Sequence, residues 1–174
     1  MSLKPSGQKG LLGQEAMTVP DSFVVSNLLF EALKPKCVIR SHEPSETLFN
    51  QGEDPRGVYL VLSGEVALSM LTPSGRVLTG IRTAPGFVLG IPAVVGNMPY
   101  TLTAEVQESS VIGFVSCEAF HALLRIEQSI CLAVLNILAS EVRAARGVLR
   151  DVFDDGFERA RLSQLTVRVA LGST

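Results

Sequence analysis

The sequence predicts a mainly β protein with flanking helices: a double-stranded β-helix, or jelly roll, followed by one long helix. Three observations carry this. Between Cys37 and Val115 the chain breaks into seven short β-like runs. Gly52-Glu53-Asp54-Pro55, Ser63-Gly64, Thr72-Pro73-Ser74-Gly75 and Ala84-Pro85-Gly86 stand between those runs, and each can reverse the chain. Beyond Glu127 the apolar residues recur at helical spacing with no proline to stop them.

Residues 1–20 carry Gly7, Gly10, Gly13 and Pro20 without periodicity and read as a flexible N-terminal arm. An N-terminal helix is expected over 21–36. Asp21 stands at the cap position, Val25, Leu28, Leu29, Ala32 and Leu33 form one face, and Pro35 ends it. The β-roll follows over 37–116, with strands at 38–41, 47–49, 58–62, 65–71, 77–82, 101–106 and 111–115. Within it Glu65-Val66-Ala67-Leu68-Ser69 alternates polar and apolar, as a half-buried antiparallel strand does.

Over 117–153 the spacing predicts a short helix and then a long one. Ser116 can cap the short helix, which turns Phe120, Leu123 and Leu124 inward. The long helix, from about 127 to 153, places Leu135, Leu138, Val142, Ala145, Leu149 and Val152 at spacings of 3, 4, 3, 4 and 3, a heptad seam. Val134 and Ile137 flank the seam and can pack on the β body. A helix apolar on two sides needs two partners, here its own domain and a second copy of the chain, so a homodimer is expected. Burial of the whole helix within one subunit is the alternative. Asp154-Asp155-Gly156 then interrupts the pattern. The segment 157–171, with Leu162, Leu165 and Val169 on one side, reads as a helix without the rest of its domain.

A length of 174 residues suits one domain, or one and part of a second. Hydrophobic residues make up 47% and charged residues 18%, against a usual charged share of roughly 25%, which excludes a disordered chain. No signal-peptide core and no run near the ~20 apolar residues of a membrane span is evident, so a cytoplasmic protein without a membrane partner is expected. A net charge of −2 argues against a strong grip on DNA by this chain alone.

Catalytic and metal chemistry find little support. Cys37, Cys117 and Cys131 contain no CxxC pair, which disfavours a disulfide framework, a structural zinc or a cluster. Cys117 sits near an expected helix N-terminus, where a thiol pKa can fall, although an inert packed thiol is the simpler reading. His42 and His121 lie on different elements and read as solvated side chains. There is no P-loop, no GxGxxG and no GxSxG elbow. No catalytic residue, metal ligand or cofactor is nominated, and no enzyme is expected.

The stretch Glu46-Thr-Leu-Phe-Asn-Gln-Gly-Glu-Asp-Pro and then Val58-Tyr-Leu-Val-Leu-Ser-Gly-Glu-Val-Ala-Leu resembles the opening of a cyclic nucleotide-binding domain. Ala84-Pro85-Gly86 and the segment from Gly90 to Pro99 follow at the expected distances. Leu138-Ala-Ser-Glu-Val-Arg-Ala-Ala-Arg resembles the dimer helix of the Crp/Fnr group of bacterial transcription regulators. The resemblance spans about 37 to 153. It implies a ligand pocket beside a short helix and a long helix that pairs two subunits. It also implies a following winged helix-turn-helix domain, whose first helix Glu158-Arg-Ala-Arg-Leu-Ser-Gln-Leu resembles and whose remainder this sequence lacks.

In family members that bind cyclic nucleotide, a Glu accepts from the ribose hydroxyl and an Arg pairs with the phosphate. The corresponding stretches here are Leu89-Gly90-Ile91-Pro92-Ala93 and Pro99-Tyr100-Thr101-Leu102-Thr103, so Ile91 stands at the acid position and Tyr100 at the arginine position. No Lys or Arg occurs from Thr83 to Leu124, and Arg82 and Arg125 lie just outside. Loss of each buried charge-assisted bond costs about 1.5–3 kcal/mol, so cAMP and cGMP are not the expected ligands. Val88, Leu89, Ile91, Ala93, Val94 and Tyr100 would line either a pocket for a small apolar effector or a filled cavity. The function expected is therefore the effector-sensing and dimerisation domain of a Crp/Fnr-like regulator, reaching DNA only through a domain absent from this chain. A stand-alone module that regulates a partner protein, through an apolar patch at 157–171, is the alternative. A jelly-roll enzyme would need a His and carboxylate cluster that His42 and His121 cannot supply.

Overall fold

In a computed structural model describing residues 27–74, 77–147 and 150, the strands form two four-stranded sheets paired antiparallel throughout. The elements run α1 (Asn27–Leu33), β1 (Val38–His42), β2 (Thr47–Phe49), β3 (Gly57–Ser63), β4 (Val66–Leu71), β5 (Val77–Thr83), β6 (Val88–Leu89), α2 (Ile91–Gly96), β7 (Thr103–Val106), β8 (Ser110–Ser116) and α3 (Cys117–Ile126). A long helix, α4 (Gln128–Gly147), completes them. One sheet has the order β1-β8-β3-β6 and the other β2-β7-β4-β5, the face-to-face arrangement of a jelly roll.

Two cores result, and the sequence of β3 explains both. Its run Gly-Val-Tyr-Leu-Val-Leu-Ser is apolar on both faces because both faces are covered. Tyr59 and Val61 point into the roll, where they meet Leu48, Phe49, Val66, Leu68 and Ile112. Val58 and Leu60 point outward, to Leu29 and Leu33 of α1, Phe120 and Leu123 of α3, and Ile130, Val134 and Ile137 of α4. β4, by contrast, buries only Val66 and Leu68, so its alternation marks one solvent-facing side. The turn before it needs glycine: Gly64 has φ 85°, and a Cβ there would lie 2.1 Å from Ser110 Oγ.

The Ser116 hydroxyl accepts from the Ala119 N–H at 3.2 Å, capping α3, an interaction worth about 1 kcal/mol. Glu127 alone separates α3 from α4. Its N–H donates to the Leu123 carbonyl at 3.0 Å, and its carbonyl accepts from Ile130 and Cys131 at 3.1 Å. At the other end α1 passes into a short 3₁₀ turn, Lys34–Lys36, that holds Pro35.

The structure departs from the sequence reading at several points. β6 has only two residues and was not expected, while the strands expected at 65–71 and 101–106 begin at Val66 and Thr103. Leu28 is half-exposed rather than buried with Leu29 and Leu33. In α4 Val134 and Ile137 do pack against the roll, but Leu138 joins that core in part, leaving Leu135 (55% exposed) and Val142 (51%) to face outward beside Leu132 (55%). α4 also holds an 18-residue window of mean hydropathy 1.2, long and apolar enough by those measures to cross a membrane, which the sequence reading did not assign. Its apolar residues divide between the roll-facing side and the outward stripe. The arm 1–20, Asp21, Val25, Leu149, Val152 and the segment 157–171 lie outside the described residues.

Candidate functional site

The expected pocket residues from Val88 to Leu102, together the cassette, follow one another through β6, α2 and the loop into β7. Val88 and Leu89 pair with Leu60 and Tyr59. Gly90, at φ 87°, is the left-handed residue that turns the chain from β6 into α2; a Cβ there would stand 3.0 Å from the Tyr100 ring and 3.3 Å from the Gly57 carbonyl. The helix then sends its side chains to different cores. Ile91 (1% exposed) and Val94 join Val88 against the helices, whereas Leu89, Ala93 and Tyr100 enter the roll. Pro92, Pro99 and Thr101 are exposed, and Leu102 packs partly against the roll interior. The residues expected to line one pocket are thus split by the sheet, and Ile91 faces away from the interior.

Tyr100 is enclosed in that interior. It is 3% exposed, and its ring stacks on Phe49 with centroids 4.0 Å apart. Tyr59 lies 5.4 Å from Phe49 and 5.1 Å from Phe114, which completes an aromatic chain across the roll. The Tyr100 hydroxyl donates to the Gly57 carbonyl at 2.7 Å and accepts from the Arg56 and Gly57 N–H groups at 3.2 and 3.4 Å. Its backbone N–H donates to the Glu53 carbonyl at 2.9 Å, and its carbonyl accepts from the Gly52 N–H at 2.8 Å. Burial raises the Tyr100 pKa and pushes that of Tyr59 up to about 12, so both phenols are neutral at physiological pH.

No charged side chain among the described residues is fully buried, Glu141 being partly so; the fully buried polar ones besides the tyrosines are Thr83 and Ser110. Arg82 pairs with Glu65 at the surface and Arg125 is exposed; Arg56 is exposed too, but its charge acts on Tyr59 and Tyr100, opposing the rise in their pKa. No group of metal-ligating side chains occurs among the described residues. His121 is not simply solvated: its Nε2 bonds the Val94 carbonyl at 3.0 Å and ties α3 to α2, while His42 Nδ1 bonds Glu46 at 2.7 Å. Cys117 donates its Sγ–H to the Pro55 carbonyl at 3.2 Å, and burial raises its pKa rather than the helix terminus lowering it.

Sequence reasoning named Tyr100 but missed Phe49, Tyr59, Arg56 and Gly57 as its partners. One signal was available: the chain has only two tyrosines, and both are here.

This architecture recurs among solved structures. The Thermus thermophilus catabolite activator protein matches with a TM-score of 0.63 and 23% identity, over 78% of this chain and 62% of that one. The sensor domain of the transcriptional regulator DNR from Pseudomonas aeruginosa matches with a TM-score of 0.57 and 22% identity, over 70% and 82%. These likenesses show the fold. Among curated proteins, the transcriptional regulator LdrP of Thermus thermophilus is 30% identical over 107 residues, 60% of this chain and 54% of LdrP. The anaerobic regulatory protein of Bacillus subtilis is 25% identical over 146 residues, 83% of this chain and 61% of that protein. The chain therefore spans little more than half the length of these relatives. The family model for the cyclic nucleotide-binding domain matches residues 39–127, from β1 through α3 and thus around the whole roll. With the roll, the cassette helix and the following α3 all inside that match, the chain belongs to the cyclic nucleotide-binding domain family.

Proposed function

We propose that this chain is the effector-sensing and dimerisation domain of a cytoplasmic Crp/Fnr-type transcription regulator, with a roll closed to cAMP and cGMP and no other cofactor. The occupancy of the roll by Tyr100 is the observation that carries this reading. A ring stacked on Phe49 and bonded to Gly57 takes up interior space, and it stands where the family's nucleotide binders carry the phosphate-pairing arginine. A cyclic phosphate entering there would meet an aromatic ring in place of the arginine, with no buried cation among the described residues, and would lose the charge-assisted bond that the arginine supplies. The outward stripe of Leu132, Leu135 and Val142 on α4 supports pairing with a second copy, because exposed leucines at this spacing on a long helix gain most from a like partner. DNA would be reached through a separate domain. The likeness to regulators of nearly twice the matched length supports that arrangement.

Titration calorimetry with cAMP and with cGMP tests the closed roll, and saturable heat at micromolar ligand would overturn it. Light scattering tests the pairing. The expected result is twice the chain mass for the wild type and a single chain mass for Leu135→Asp.

A further inference from the structure

The segment Pro55-Arg56-Gly57 is held on both sides. On the roll side the Tyr100 hydroxyl bonds the Gly57 carbonyl and both the Arg56 and Gly57 N–H groups, at 2.7, 3.2 and 3.4 Å. On the helix side the Arg56 carbonyl accepts from the Cys117 N–H at 3.1 Å, and the Pro55 carbonyl accepts from Cys117 Sγ at 3.2 Å. Cys117 is the first residue of α3. Three backbone units therefore connect a side chain of the cassette to the start of the helix that leads, through Glu127, into α4. Gly90 closes the arrangement from the third side. A Cβ added to Gly90 would stand 3.0 Å from the Tyr100 ring and 3.3 Å from the Gly57 carbonyl, so the turn into α2 passes close beside the same phenol.

We propose that Tyr100 is a tethered occupant of the roll which, through the Pro55–Gly57 strap, sets the position of α3. In this device the chain supplies its own effector: the phenol does from within what a soluble ligand would do on arrival, and it holds α3 in one place without one. The occupied state is then the resting state. What would change it is displacement of the Tyr100 ring rather than entry of a molecule into empty space. The proposal extends the reading of a closed roll, but it concerns transmission to α3, which neither nucleotide titration nor chain mass reports.

The test reads Cys117, because its thiol is bonded to the strap. Alkylation of native protein by iodoacetamide is followed by peptide mass spectrometry, with Cys37 and Cys131 in the same chain as internal references. Tyr100→Phe keeps the ring and its stacking and removes only the hydroxyl. The expected result is an increase of about tenfold in the Cys117 rate, the scale set by one buried hydrogen bond, with the other two thiols within twofold. Tyr100→Ala should raise the rate further, and phenol, which has the shape of the missing ring and hydroxyl, should restore protection. An unchanged Cys117 rate in Tyr100→Phe, or an equal increase at all three thiols, would refute the proposal. So would a folded Tyr100→Ala protein in which phenol fails to restore protection of Cys117. Cyclic nucleotide binding by the wild type would overturn the closed roll yet leave the thiol result standing on its own.

Discussion

Glu141 offers a direct measure of how α4 sits on the roll. One turn beyond Ile137, it continues the stripe of Ile130, Val134 and Ile137 that packs into the helix-side core. It has no hydrogen-bond partner among the described residues. Burial alone pushes its pKa from the ordinary 4.5 up to about 7, while Arg143 and Arg146 on the same helix are exposed. A rise of that size corresponds to about 3 kcal/mol between the two protonation states. The folded chain keeps a proton that the unfolded chain has already released. Stability is therefore full below pH 4.5 and falls as the pH climbs through about 7. Glu141→Gln keeps the shape and removes the ionisation. At pH 8 the variant should be more stable than the wild type by about 1–3 kcal/mol, and near pH 4.5 the two should coincide. Urea unfolding followed by far-ultraviolet circular dichroism, at one fixed protein concentration, measures the difference. Equal stabilities at pH 8, or the same gap at both pH values, would show that Glu141 does not lie against the roll.

Gly57→Ala should be severe, because a Cβ there would lie 2.1 Å from the Val115 carbonyl and 2.7 Å from the Phe114 ring. A loss of about 3 kcal/mol or more is expected by thermal unfolding, with Gly80→Ala, whose Cβ meets open space, as a near-neutral control. At the alkaline end Tyr59 keeps its proton to about pH 12 in the fold but to about 10 when unfolded, so its contribution is present below pH 10 and is lost as the pH rises through 12. Phenolate absorbance should appear late and together with unfolding; a smooth titration of a folded chain near pH 10 would contradict the burial.

The roll was legible because its punctuation is local. Each turn cluster from Gly52-Glu53-Asp54-Pro55 to Ala84-Pro85-Gly86 separates runs that the structure places in strands, and β2 has the expected limits, Thr47–Phe49. β6 was missed because two residues are too few to display a period. The side-chain directions in the cassette were hidden for a related reason. The chain passes from strand to helix through a left-handed glycine within a few residues, so neither the two-residue nor the 3.6-residue rule says which core Ile91 or Ala93 will meet. The replacement of an arginine by Tyr100 was readable, whereas its stacking on Phe49 depends on two strands meeting across the roll. Cys117 agrees with the simpler reading, a packed thiol: a helix terminus can favour the thiolate, but burial beside Pro55 raises the pKa.

A wall shared by two chambers restricts how the molecule can move. Each residue of β3 from Val58 to Val61 belongs to the chamber opposite that of its neighbour. A slip of one residue along β8 would exchange every occupant, sending Tyr59 and Val61 toward the helices and Val58 and Leu60 into the roll. Sliding is therefore closed to this strand. A displacement that passes through this wall travels as a tilt of the strand, beside the separate route from Tyr100 through the Pro55–Gly57 strap to α3.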